Sequence, residues 1–158
     1  MLKVVKLTDH TLAGTLHLIL YEAILPYFNL YTPGAFAATV VPTETLNARI
    51  AAEKYSVYGC YFEGALAGTV STKFTEEGEL YFMSMAVSPA FSGKGIGTAL
   101  LNVIENEAKE KKCRAIFLET YAPLLDAIRL YEKNDYKRTG KTRDYAGIEI
   151  FEMEKILV

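Results

Sequence analysis

The chain has 158 residues, the length of one ordinary domain with a sizeable core, so a single domain over residues 1–158 is expected. Hydrophobic residues make up 51% and charged residues 23%, which excludes a chain too polar to collapse. Seventeen Lys and Arg against nineteen Asp and Glu leave a net charge of −2, without the basic field that a nucleic-acid partner calls for.

Met1 leads straight into Leu2-Lys3-Val4-Val5-Lys6, which reads as a first strand over 2–7 and not as a signal peptide. Every apolar run stops short of the roughly 20 residues that span a bilayer, so a cytoplasmic protein with no membrane partner is expected. Thr8-Asp9 can cap a helix over 10–28, apolar at Leu12, Leu16, Ile19, Leu20, Ala23 and Ile24 and bent or ended by Pro26. Pro33, Gly34 and Pro42 mark 29–42 as a loop, and Thr43 introduces a second helix over 44–54. Strands over 56–62 and 65–75 flank a Glu63-Gly64 hairpin turn, and Glu76-Glu77-Gly78 turns into a strand over 79–87. A helix over 97–112 carries Ala99, Leu100, Val103, Ile104 and Ala108 on one side, with Lys109, Lys111 and Lys112 suited to its C-terminal end. A strand over 115–121, a helix over 123–134 opened by Pro123, and strands over 136–145 and 148–156 about Ala146-Gly147 complete the order. Cys60 and Cys113 are too far apart for a metal or redox pair and read as small buried hydrophobes. His10 and His17 have no accompanying ligand cluster, so no metal site is expected.

Between the strand over 79–87 and the helix over 97–112 lies Ser92-Gly93-Lys94-Gly95-Ile96-Gly97-Thr98. Glycines at a strand-to-helix turn admit backbone angles and close approaches that side chains block, and the free N–H groups of a helix start attract anions. Lys94 adds a full positive charge. The spacing is not the dinucleotide fingerprint, since Thr98 stands where its third glycine belongs, nor the P-loop, since Gly95 follows Lys94.

Ser92-Gly93-Lys94-Gly95-Ile96-Gly97 resembles the acetyl-CoA signature Q/R-x-x-G-x-G/A of the GNAT family of N-acetyltransferases, with Ser92 in place of Gln or Arg. The resemblance implies an α/β acyl-CoA N-acyltransferase fold: a central mixed, mostly antiparallel sheet with helices on both faces, opened between its fourth and fifth strands. It implies that the turn over 92–98, with Ser92, Gly93, Lys94, Gly95, Ile96, Gly97 and Thr98, binds the CoA pyrophosphate. Met85, Ala86 and Val87 resemble the strand whose backbone pairs with pantetheine, and an N–H near Val87 would steady the oxyanion. Downstream, Ala127-Ile128-Arg129-Leu130-Tyr131-Glu132-Lys133-Asn134-Asp135-Tyr136 resembles the family's A-x-x-x-Y-E-K-x-G-F, with Asp135 for Gly and Tyr136 for Phe. Tyr131 thereby takes the place of the general acid, against the alternative that it only packs its helix onto the sheet with Leu124 and Ile128. The Asn often found seven residues before that tyrosine is Leu124 here.

An alkyl amine with a pKa near 10.4 costs about 4.6 kcal/mol to deprotonate at pH 7, so a base is useful. Glu119 is the first candidate, because it interrupts the apolar run Ile116-Phe117-Leu118 near a strand end. It precedes Tyr131 by twelve residues, the base-to-acid spacing of the ribosomal-protein N-terminal acetyltransferases that this stretch resembles. A surface ion pair is the plainer reading of Glu119, and Glu79 or water are the other bases in view. The expected reaction is direct transfer of acetyl from acetyl-CoA to a small-molecule or peptide amine. By resemblance, Tyr21, Tyr27, Phe28, Tyr31 and Tyr145 could shape the acceptor pocket, with Arg143-Asp144-Tyr145 at its border. A homodimer stays open. The rivals are a catalytically weak CoA-sensing or partner-binding module and a nucleotide-phosphate-binding protein.

Overall fold

Strand side chains alternate between faces, and here both faces of one sheet are covered by helices. The computed structural model describes residues 1–157. Its seven strands are β1 (Leu2–Lys6), β2 (Tyr55–Phe62), β3 (Ala65–Phe74), β4 (Leu80–Val87), β5 (Ala115–Tyr121), β6 (Lys137–Tyr145) and β7 (Ile148–Ile156). They run in the order β1-β2-β3-β4-β5-β7-β6, antiparallel throughout except where β4 meets β5. The mixed, mostly antiparallel sheet with helices on both faces is thus as expected.

The helices are α1 (Ala13–Ile24), α2 (Pro33–Thr39), α3 (Thr43–Ala51), α4 (Ile96–Glu110) and α5 (Leu125–Lys133). On one face α4 and α5 pack Leu100, Ile104, Ile128 and Tyr131 against Val70, Leu80, Ile116 and Met153 of the sheet. On the other face α1 and α3 pack Leu16, Leu20 and Leu46 against Val57 and Ala86. Cys60 and Cys113 are buried free thiols, acting as small apolar residues.

Three readings of the sequence need correction. The expected loop over 29–42 contains α2, which Pro33 begins and which the Thr32 hydroxyl caps by accepting the Ala35 N–H at 3.0 Å. The expected helix over 10–28 is α1 flanked by 3₁₀ turns at His10–Leu12 and Leu25–Leu30, the second starting just ahead of Pro26. Together they form a helical stretch, His10–Leu30, of 21 residues, long and apolar enough to cross a bilayer by length and composition, contrary to the expectation that all such runs fall short. In this fold its Leu16, Ile19, Leu20 and Ile24 pack in the core, while Leu18, Tyr21 and Leu25 face outward.

The strand β4 departs from regular pleating part-way along its pairing with β3. Thr69 pairs with Ala86 and Ser71 with Met83, so β4 has one residue more than β3 across that interval. The extra residue is accommodated at Ser84, whose φ of 53° lies in the left-handed region. The bulge reverses the alternation: Phe82 is buried with α4 and α5, whereas Ala86, four residues on, is buried with α1.

Candidate active site

The strands β4 and β5 pair only at Leu80–Ile116 and Tyr81–Phe117, and beyond those positions they separate. From Phe82 onward the β5-facing edge of β4 therefore has no strand partner. A cavity of about 340 Å³ opens beside this edge, lined by Met83, Ser84 and Met85 of β4 and by Leu118, Glu119 and Thr120 of β5. A bulge next to a split between strands bends the backbone out of the ladder, which leaves its N–H and C=O groups available to a ligand.

At its far end β4 runs into the glycine turn. A 3₁₀ turn, Pro89–Phe91, leads through Ser92 to Gly93 and Gly95, with φ of 75° and 80°. Gly95 is the N-cap of α4 and no side chain caps that helix, so the N–H groups of Ile96, Gly97 and Thr98 have no intrahelical acceptor. A Cβ at Gly93 would meet nothing within 4 Å, and at Gly95 only Leu2 Cδ1 at 3.9 Å: the cradle is open. Gly97 answers to a different demand, because a Cβ there would lie 2.7 Å from Leu130 Cδ2, so its lack of side chain brings α4 close to α5. Ile96 is buried, presenting only backbone to the turn, and the Lys94 ammonium lies 5.8 Å from the Phe62 ring centroid. Of the preceding strand residues, Met85 lines the cavity, Ala86 is buried toward α1, and Val87 pairs with Gly68 of β3.

Tyr131, in the last turns of α5, is 6% exposed and lines the cavity, with its ring edge-on to Phe82 at 5.7 Å. Burial raises its pKa, keeping the phenol protonated. Asp135, which follows this helix, has a φ of 72°, so it adopts the conformation for which glycine is the usual residue. Glu119 lines the cavity in a two-pronged ion pair: Arg143 donates from Nε to Oε2 at 2.7 Å and from Nη2 to Oε1 at 2.8 Å. The pair in turn raises the Arg143 pKa. Glu79 sits at the closed end of the split, bound by Arg114 at 2.7 Å and outside the cavity lining.

The acetyltransferase (GNAT) family model matches residues 19–136. The chain belongs to this family. An acetyltransferase of Agrobacterium fabrum is 35% identical over 66 residues, which cover 42% of this chain and 47%, about half, of that protein. The spermine/spermidine N(1)-acetyltransferase of Bacillus subtilis is 28% identical over 112 residues, 66% of this chain and 69% of its own length. The solved structure of the PaiA N-acetyltransferase of Thermoplasma acidophilum in complex with coenzyme A superposes with a TM-score of 0.81 at 21% identity, covering 99% of both chains.

Within this GNAT fold one wall of the cavity is built by elements distant in sequence. Tyr31, Tyr121 and Tyr145 line it, and Tyr31 stands edge-on to Tyr121 at 5.0 Å. Burial pushes the Tyr31 hydroxyl up to about 12. Of the other aromatics expected there, Tyr21, Tyr27 and Phe28 stay outside the lining, and Tyr21 and Phe28 pack edge-on against Phe36. Sequence reasoning missed Gly68, Ser84 and Arg49. A Cβ at Gly68 would lie 2.6 Å from Ile96 Cγ2 and 3.2 Å from the Ala86 carbonyl, so this glycine admits the start of α4 onto the sheet. Nothing in the residue type of Ser84 announces a bulge, and an arginine in the last turn of a helix reads as an ordinary partner of the helix dipole.

Proposed function

We propose that this chain transfers an acetyl group from acetyl-CoA to a primary amine by direct attack of the amine on the thioester. The carrying observation is the conjunction of the β4–β5 split with the open, uncapped start of α4 at its end. The N–H groups around Gly93 to Thr98, with Lys94 beside them, would hold the pyrophosphate, and the free edge of β4 at Met85 to Val87 would pair with the pantetheine arm. When bound, acetyl-CoA supplies an activated acetyl group.

The protein's own residues handle orientation and protons. A backbone N–H near Val87 stabilises charge developing on the carbonyl oxygen. As the nitrogen–carbon bond forms and the carbon–sulfur bond breaks, Tyr131 gives its hydroxyl proton to the departing thiolate. Glu119, held by the Arg143 fork, accepts the proton of the amine directly or through water; it is the sole carboxylate among the described cavity-lining residues. Asp135 already supplies the backbone conformation of the family's glycine, which supports catalysis over a binding module with a degraded site.

The test is mass spectrometry of products after incubation with acetyl-CoA and a pool of amines, run alongside a CoA-thiol assay. Sustained thiol release with an acetylated amine is expected. Tight CoA binding without turnover across the pool would instead identify a sensing module.

A further inference from the structure

The cavity contains a cation that no acid balances. Its charged lining residues are Arg49, Glu119 and Arg143. Arg143 spends its fork on Glu119, so this pair is electrically neutral and both members are engaged. Arg49, at the end of α3, reaches across to the β4 bulge instead. Its Nη1 donates to Ser84 Oγ at 2.9 Å and to Ser71 Oγ at 3.2 Å, both neutral hydroxyls. Its guanidinium carbon lies 5.9 Å from the Tyr55 ring centroid. Among the described residues no carboxylate lies within 4.0 Å of it, in contrast to Arg114, Arg129 and Arg143.

A guanidinium has five N–H donors, and the two hydroxyls occupy one nitrogen. Partial burial lowers the pKa of Arg49, yet an arginine stays charged in proteins, so the cavity retains one uncompensated positive charge. The planar fork suits a carboxylate, which can take two parallel hydrogen bonds. A polyamine would bring further positive charge to a cavity whose one acid is already neutralised. At about 340 Å³ the cavity lies at the small end of ligand pockets, near 300–1,000 Å³.

Deepening the acetyl-transfer reading, on which it rests, we infer that the acceptor is a small amino-carboxylate whose carboxylate binds the free side of Arg49 while its amine faces the β4 edge. Arg49 is then a specificity-determining residue. The hydroxyls of Ser71 and Ser84 fix its guanidinium in the orientation that receives the anion.

Matched acceptors test this: leucine, phenylalanine and β-alanine against their primary amides, with spermidine as the cationic comparison. In wild type each acid should exceed its amide by at least roughly tenfold in kcat/KM, the discrimination of one charge-assisted hydrogen bond or more. In Arg49→Gln, which keeps a donor for the serines, the ratio should fall to about one, while Arg49→Lys retains part of it. CoA affinity should stay within about twofold in both variants. Equal use of acids and amides, preference for spermidine, or a ratio unmoved in Arg49→Gln overturns the assignment. Calorimetric titration of acid and amide into the CoA-saturated protein gives a readout independent of turnover. Preferential binding of the acid, lost in Arg49→Gln, supports the assignment even if acetyl transfer fails, and equal or absent binding refutes it even if transfer succeeds.

Discussion

The two sides of the cavity are built from different materials. The side proposed for CoA is main chain: a strand edge left unpaired where β4 and β5 separate, followed by a turn whose glycines keep side chains out of the way. The side proposed for the amine is side chains brought from α3, β5, α5 and the β6–β7 hairpin, with Arg49, Glu119, Tyr131 and Tyr145 among them. A backbone site depends on a few conformations and is insensitive to most neighbours. A side-chain site can change its ligand through single substitutions without disturbing the fold.

The contrast breaks most visibly at the turn. Gly95→Glu forces a charged side chain into a φ of 80° at the proposed phosphate cradle, and CoA affinity should drop at least about a thousandfold, near 4 kcal/mol. Normal affinity by calorimetry would place the cradle elsewhere. On the other side, Tyr131→Phe should leave CoA affinity within about twofold but lower kcat at least about tenfold, toward the roughly hundredfold at the low end of general-acid contributions, because a thiol leaving group needs little assistance. Unchanged turnover would return Tyr131 to a packing role.

Two further experiments ask what supports the backbone side. In Gly68→Ala the new methyl meets Ile96 and the Ala86 carbonyl, so stability should fall by about 1–3 kcal/mol, or roughly 3–10 °C in Tm, and CoA affinity should weaken with it. Equal Tm would mean that α4 shifts freely. The smallest effect concerns Glu107, a buried carboxylate on α4 that accepts from Ser56, Tyr58 and Thr72 and pairs with Lys111 at 2.8 Å. Burial pushes its pKa up, but Lys111 and the two hydroxyls of Thr72 and Tyr58 outweigh that and hold it below the ordinary 4.5. A depressed folded pKa gives stability that is present above about pH 4.5 and is lost as pH falls through the folded value. Melting curves from pH 3 to 6.5 should show that loss in wild type and a flatter profile in Glu107→Gln.

How much of this could be read from the sequence follows from the same division. Strand alternation and the turns at Glu63-Gly64 and Ala146-Gly147 mark the sheet, because both pairs adopt positive φ at positions where sequence and geometry agree. The glycine turn ahead of α4 is legible because glycine itself is the signal. Glu119 and Arg143 were legible as residues near a strand end and a hairpin, but their mutual fork depends on β5, β7 and β6 lying side by side, which no local pattern states. Arg49 and Ser84 meet across 35 positions, and the bulge that joins them is a serine in a conformation that its residue type does not favour.

The Thr32 hydroxyl donates to the Ala146 carbonyl, and a side chain at Gly147 would press within 3.0 Å of Thr32 Cγ2. This clasp joins an early segment of the chain to the last hairpin. Tyr145 and Ile148, which flank that turn, line the cavity. The clasp thus ties one wall of the cavity to the segment that opens α2.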